Sequence, residues 1–183
     1  MLKFFGISKK EKVSSNDVSN ILSVALNKVV DNGFSEIQSF LNHNQNLEKS
    51  PNIKDEDLRS FRLIIFVANI YLMSTKFEES ETLILRNKVI DNILPIIGDD
   101  NEISMDLFLN YEMYFRELVN KKNDTIDSMA IAIFDKYKIN DCQSELLRRK
   151  NEPNPILYNE LKKYLSHFIW NWDEFLEKCK IVF

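Results

Sequence analysis

Glycine is scarce in this sequence, and its scarcity is the first guide to the fold. The 183 residues include only three glycines, whereas average usage near 7% would supply about thirteen. Glycine makes the tight turns, bulges and phosphate-binding loops of many sheet-based proteins. The shortage therefore favours helices, and it excludes the glycine-rich motifs of P-loop, dinucleotide-binding and α/β-hydrolase sites.

The sequence also has few cysteines and histidines and no excess of positive charge. Each of these features argues against a class of site or partner. Cys142 and Cys179 are too few for a disulfide framework, which favours a reducing cytoplasm. His43 and His167 lie in different segments, and neither has the spacing of a metal-binding helix motif. We therefore predict no metal and no other cofactor. The net charge of −4 and the lack of a long basic run predict no nucleic-acid partner.

The longest apolar run is Phe61–Met73, which only Arg62 and Asn69 interrupt. It is too short to cross a bilayer, which needs roughly 20 apolar residues, so we predict no transmembrane segment. A helix that is apolar nearly all round is buried, and we predict a central helix over 57–74 around which the other helices pack. Arg62 and Asn69 share one thin polar stripe of that helix, which can face a partner. For Asn69 an internal hydrogen bond is the favoured interpretation, because buried polar groups are usually satisfied.

Apolar spacing predicts helices along most of the chain. Residues 18–30 carry the first apolar stripe, which Ser14 or Ser15 can cap and Asn32-Gly33 is expected to end. A short helical piece follows, and then residues 42–55 lack periodicity, which predicts a loop that is either functional or mobile. Capping patterns predict helix starts at Thr75–Glu78 and Asn154-Pro155. Apolar spacing predicts further helices from Ser104 and from Asp124, and a short helix is expected over Cys142–Lys150.

The last predicted helix carries one apolar stripe from Leu157 to Cys179, with a restart after a bend at Asn171 left open. No window alternates as a half-buried strand would. We predict an all-α, single-domain, multi-helix bundle of about seven helices and no sheet. The domain is expected to span 14–183, behind an apolar and basic N-terminal tail at 1–13.

The tail has two interpretations. Its first twelve residues combine apolar side chains with three lysines, so residues 1–12 could make weak contact with a membrane surface. Alternatively, the tail folds back and tucks its two phenylalanines against the bundle. We favour the second interpretation, because so short an apolar segment binds bilayers only marginally.

Trp170 is the strongest single candidate for a partner contact. On a continuous helix it points about 200° away from Trp172, which belongs to the buried stripe. It then shares a polar face with His167, and a tryptophan ringed by charge is typical of an interface anchor. The alternative, which we favour, is that another helix or the N-terminal tail covers it, because long helices in multi-helix domains are often contacted on two sides. The candidate interface residues are Trp170, His167, Arg62 and Asn69.

A group of aromatic residues supports a second hypothesis. Two consecutive predicted helices carry five of them, and such residues can line an apolar pocket with hydroxyls as polar contacts. The alternative is a filled core, which we favour because aromatic residues at helical spacing mostly pack. The five are Phe108, Tyr111, Phe115, Phe134 and Tyr137.

These observations predict a cytoplasmic, non-enzymatic helical protein that acts by protein–protein interaction, in the manner of an adaptor or an immunity- or antitoxin-like inhibitor. A helical binder of a small apolar ligand is the alternative, and an enzyme that uses acidic residues is a weaker third. The sequence does not identify the protein partner, and it leaves a homo-oligomer open.

Overall fold

The computed structural model describes residues 10–98 and 100–183. Residues 1–9, and with them most of the predicted tail and membrane contact, lie outside the described residues. Within the described ranges, helix accounts for 75% of the structure and forms eight α-helices. The prediction of an all-α, multi-helix fold is confirmed. No helix in the described ranges combines the length and apolar character needed to cross a membrane.

Helix α1 (Ser15–Asn42) is a single helix of 28 residues. Ser14 caps it by accepting a hydrogen bond from the Asp17 amide, at 3.1 Å. The expected stop at Asn32-Gly33 is wrong, because the helix continues through both residues. Gly33 instead gives room for the ring of Phe168: a Cβ built on Gly33 would lie 2.6 Å from the Phe168 Cζ atom.

Helix α2 (Leu58–Met73) is the centre of the fold. All its residues from Phe61 to Ile70 are buried, as is Met73. The helix packs against α1 and against three further helices, namely α3 (Glu79–Ile97), α4 (Asn101–Lys122) and α5 (Thr125–Lys136). The predicted central helix is therefore confirmed, and so is its burial on nearly every side.

Capping residues set the starts of the next helices. Asp124 and Asp100 cap α5 and α4 through their side chains, so α4 begins three residues before the predicted Ser104. The expected capping box at Thr75 is wrong, because the Thr75 hydroxyl donates back to the Leu72 carbonyl. Glu78 occupies the N-cap of α3, and its amide donates to the Glu81 carboxylate at 3.2 Å.

The C-terminal part of the chain is broken into short helices, α6 (Glu145–Lys150), α7 (Pro155–Ser166) and α8 (Trp172–Lys178). Asn154 caps α7, as predicted. The stripe from Leu157 to Cys179 is not one helix, because the chain leaves the helical path at residues 167–171. Asn171 restarts the helix by accepting from the Glu174 amide at 3.1 Å, which confirms the bend that was left open.

The prediction of no sheet is wrong. Strands β1 (Glu11–Ser14) and β2 (Cys179–Val182) form a parallel pair, in which Val13 lies opposite Ile181. Both side chains are half-buried against the core. Four residues are too few to show alternation in the sequence, which is why pattern analysis missed the pair. The boundary predicted between tail and domain at residue 13 falls inside β1.

Candidate binding groove

The C-terminal end of α1, the residues that follow it and the C-terminal half of α7 enclose an open groove with a volume of about 740 Å³. We call it the histidine groove. Its lining combines charged, amide and aromatic side chains: Glu36, Ser39, Phe40, His43, Asn44, Gln45, Asn46, Glu160, Lys163, Tyr164 and His167.

Two aromatic rings from opposite helices line the groove. The ring centroids of Phe40 on α1 and Tyr164 on α7 are 4.8 Å apart, and the ring planes are tilted by 44°. Both rings are half-buried. They can stand there because the adjacent residues Leu41 and Leu165 are buried in the core and fix the two helices. The groove thus has an apolar surface between polar flanks, which is typical of a binding site.

The groove also brings together both histidines of the chain. His43 is the C-cap of α1, and its Nδ1 lies 3.0 Å from the Ser39 carbonyl. A carbonyl only accepts, so Nδ1 is the nitrogen that carries the proton in this bond. His167 is the C-cap of α7, and both imidazoles are exposed. The sequence placed the two residues in separate segments, and only the continuation of α1 past Gly33 brings His43 to α7.

Three charged side chains complete the walls. Glu36 lies on α1, and Glu160 and Lys163 lie on α7. Within residues 10–98 and 100–183, none of the three makes an ion pair. These charges are therefore available to a ligand.

The loop at the mouth of the groove is held by hydrogen bonds. The side-chain nitrogen of Asn42 donates to the Ile53 carbonyl, and its side-chain oxygen accepts from the Ile53 backbone N–H, both at 2.8 Å. The Asn44 side chain accepts from the Asn46 amide at 3.0 Å, which forms a local turn. The Glu48 amide donates to the Cys142 carbonyl. Residues 43–46 of the irregular 42–55 segment thus line the groove, and hydrogen bonds join the rest of the segment to Asn42 and to Cys142.

Of the candidate interface residues, His167 alone lines this groove. Asn69 is fully buried in α2, where its amide donates to the Ile65 and Phe168 carbonyls at 2.9 and 2.8 Å. Its side-chain oxygen accepts from the Trp170 amide at 2.8 Å. Asn69 therefore fastens the connection between α7 and α8 to the central helix, which is the favoured internal role.

The expected position of Trp170 is wrong. It does not lie on the polar face of a helix, because residues 167–171 are not helical. Its indole is half-buried beside Trp172 and Phe175, at centroid distances of 6.2 and 5.9 Å. Trp170 lines a separate depression of about 330 Å³ that includes Cys179. Whether a partner contacts it there stays a prediction.

Arg62 is occupied within the protein. Its Nε donates to Asn27 at 2.8 Å, and its guanidinium forms an ion pair with Asp31 on α1. The Arg62 side chain is only 11% exposed. These contacts join α2 to α1, so Arg62 has a structural role and little surface to offer a partner.

The five aromatic residues of the pocket hypothesis do not gather around one opening. The side chains of Phe108, Phe115, Phe134 and Tyr137 are buried in the core, while Tyr111 lines a surface depression of about 360 Å³. The Tyr137 hydroxyl donates to the Asp57 carbonyl at 3.1 Å, and burial raises the pKa of this phenol. The structure agrees with a filled core, the favoured interpretation.

Charged side chains also form a cluster between α3 and α4, and there they pair with one another. Arg86 binds Glu112 through two hydrogen bonds, at 2.8 and 2.6 Å, and Arg116 adds a third contact at 3.4 Å. Burial by itself would raise the pKa of Glu112, but the hydrogen bond and charge of Arg86 outweigh it and hold that pKa below its ordinary value. The cluster stabilises the packing of α3 on α4.

Within the part of the chain that the structure describes, no group of three or more histidine, cysteine or carboxylate side chains is placed to hold a metal ion. No protein-family model, curated protein or solved structure matches the chain.

Proposed function

We propose that the protein binds a segment of another protein in the histidine groove and acts by this interaction, as an adaptor or inhibitor does, without catalysing a reaction. The observation that carries the proposal is the groove's lining. An apolar pair of rings, Phe40 and Tyr164, shares the groove with amide side chains and with three charged side chains that make no ion pair in the described residues. This arrangement of a ring-lined centre and a polar rim is typical of protein interfaces.

The state of the two histidines supports binding over catalysis. A catalytic histidine is usually oriented by a hydrogen bond to a carboxylate. In the described residues, the only side-chain hydrogen bond of either imidazole joins His43 to a backbone carbonyl. We also propose a cytoplasmic location, which the two free cysteines, Cys142 and Cys179, support.

Site-specific photo-crosslinking tests the proposal. A photoreactive amino acid replaces Ser39 or Gln45, two exposed residues of the groove, in the full-length chain. The control positions are Asp106 and Asn120, which are exposed on α4. In extract from the cells that make the protein, we expect the groove positions to crosslink one discrete protein, and the α4 positions to give no such product.

Competition makes the result specific to the groove. Excess unmodified protein should abolish the crosslink. A Ser39→Trp competitor, whose side chain fills the groove from an exposed position, should not compete, whereas the matched Asn120→Trp variant should. Equal competition by both tryptophan variants, or equal crosslinking from α4, would mean that the groove is not the binding site.

A further inference from the structure

We propose that the segment bound in the histidine groove presents an arginine side chain to Glu36 and Glu160. This inference rests on the proposed function and names the chemistry of its partner. Three features of the groove support it: the charge of its walls, the helix ends that border it and the aromatic rings between them.

The charge of the walls favours a cation. Glu36 and Glu160 reach the groove from different helices, and in the described residues neither carboxylate has an ion-pair partner. Lys163 is the one lysine or arginine in the lining, so the lining has one excess negative charge when the histidines are neutral. A ligand cation between the two carboxylates would satisfy both.

The ends of the two helices add to this field. The C-terminal end of a helix carries a partial negative charge, which attracts cations within its last turn. Both α1 and α7 end at the groove, with His43 and His167 as their C-caps. Lys163 lies in the last turn of α7, whereas the last turn of α1 contains no basic residue. At that end of α1 the only basic side chain is the C-cap His43.

The aromatic rings favour arginine over lysine. A guanidinium is planar, stacks on aromatic faces and binds carboxylates through two hydrogen bonds, whereas an ammonium is a compact, strongly hydrated charge. The half-buried rings of Phe40 and Tyr164 supply such faces in the same groove as the two carboxylates. An arginine there can stack and pair at once.

Fluorescence polarisation with defined peptides tests the inference. The probes are labelled heptapeptides of alternating glycine with arginine, lysine or glutamate. The test variant is the double substitution Glu36→Gln/Glu160→Gln. The control is Glu102→Gln/Glu117→Gln on α4, which changes the net charge equally at exposed residues outside the groove. Circular dichroism of each variant confirms that it is folded.

We expect the arginine peptide to bind best, and the groove variant to bind it about tenfold more weakly or worse, with the control within about twofold of the unmodified protein. Equal losses in both variants would show general attraction to an acidic protein and would overturn the inference. So would no binding of the arginine peptide, or equal affinity for the lysine peptide.

The crosslinking assay separates this inference from the proposed function. If Glu36→Gln/Glu160→Gln leaves the crosslink at Ser39 intact, the groove binds a protein without using an arginine, and only the inference fails. If groove positions give no crosslink although the arginine peptide binds through Glu36 and Glu160, the proposed function fails and the cation site remains.

Discussion

Gly33 shows how one small residue determines where two elements meet. It lies inside α1, where glycine is usually unfavourable, and the ring of Phe168 occupies the space beside it. Phe168 also packs edge-on against Phe61, with ring centroids 5.1 Å apart. The lack of a side chain at residue 33 therefore lets the chain that follows α7 approach both α1 and α2.

Replacing Gly33 with alanine sets two effects against each other. Alanine favours the helix by about 1 kcal/mol, but its methyl group would lie 2.6 Å from Phe168 Cζ. Because that ring is buried, we expect overpacking to win and the free energy of unfolding to fall by about 1–2 kcal/mol. Urea denaturation measures it. In a Phe168→Leu background the same change should be neutral or stabilising; an equal loss there would rule out the contact as the cause.

Glu112 should govern part of the protein's acid sensitivity. Its pKa in the folded state is below the ordinary value of 4.5, so it contributes stability that is complete above that value and is lost as the pH falls through the folded pKa. Glu112→Gln should cost about 1.5–3 kcal/mol at neutral pH, because Arg86 loses its charged partner. The variant should then lose less stability than the unmodified protein between about pH 5 and pH 3.

Urea denaturation across this pH range tests the assignment, with Glu117→Gln as the control at an exposed position of the same helix. If Glu112→Gln and the unmodified protein lose stability in parallel as the pH falls, the Arg86 pair does not account for the acid sensitivity.

The connection between α7 and α8 is the element in which pattern analysis failed. A helical wheel treats residues 157–179 as one helix and so assigns Trp170 to a polar face. The chain breaks at residues 167–171 because Asn69, on a distant helix, bonds the backbone of Phe168 and Trp170. No local pattern reports a hydrogen bond from another element.

Trp170→Ala tests this new placement. Because the indole packs on Trp172 and Phe175, the substitution should lower the free energy of unfolding by about 2–3 kcal/mol, somewhat below the cost at a fully buried aromatic site. Trp170→Phe keeps a ring there and should cost less than half as much. Thermal unfolding of the two variants measures the difference. A loss near 0.5 kcal/mol for the alanine variant, as at a surface site, would contradict the packing.

Elements whose signals are local could be predicted from the sequence. The caps Asp124 and Asn154 marked the starts of two helices correctly, and the run at residues 61–73 identified the buried centre. The histidine groove could not be predicted, because its walls come from helices far apart in the chain. The groove contains both histidines of the sequence. Nothing in the sequence indicates that the two lie close together, so this feature gave no usable signal.

At the scale of the whole molecule, α1 separates the small sheet from the groove. The helix begins directly after β1 and ends at His43. Its 28 residues correspond to a length of about 40 Å at 1.5 Å per residue. The N-terminal end of this helix therefore adjoins the sheet, in which β1 pairs with β2 from the other end of the described chain. Its C-terminal end lines the candidate binding site.

The sheet can be opened without disturbing the groove. Ile181 is half-buried opposite Val13, while the neighbouring Lys180 is exposed. We expect Ile181→Asp to abolish hydrogen-exchange protection of the amides in residues 11–14 and to cost about 1–2 kcal/mol of stability. Lys180→Asp, which introduces the same carboxylate on the exposed face, should leave that protection intact.

Binding at the groove should be unchanged in both variants, since α1 keeps its caps at both ends. Retained protection of residues 11–14 in Ile181→Asp would mean that the parallel pairing does not depend on this buried contact.

The pairing of β1 with β2 also has a consequence for the order in which the protein is made. Synthesis begins at the amino end, so residues 11–14 emerge before the helices, and all eight described helices are translated before β2 exists. Until then β1 is an unpaired strand, which is a site for unwanted pairing with other chains. The charges of Glu11 and Lys12 in this strand discourage such pairing during the wait. The sheet can thus form only after the eight described helices have been synthesised.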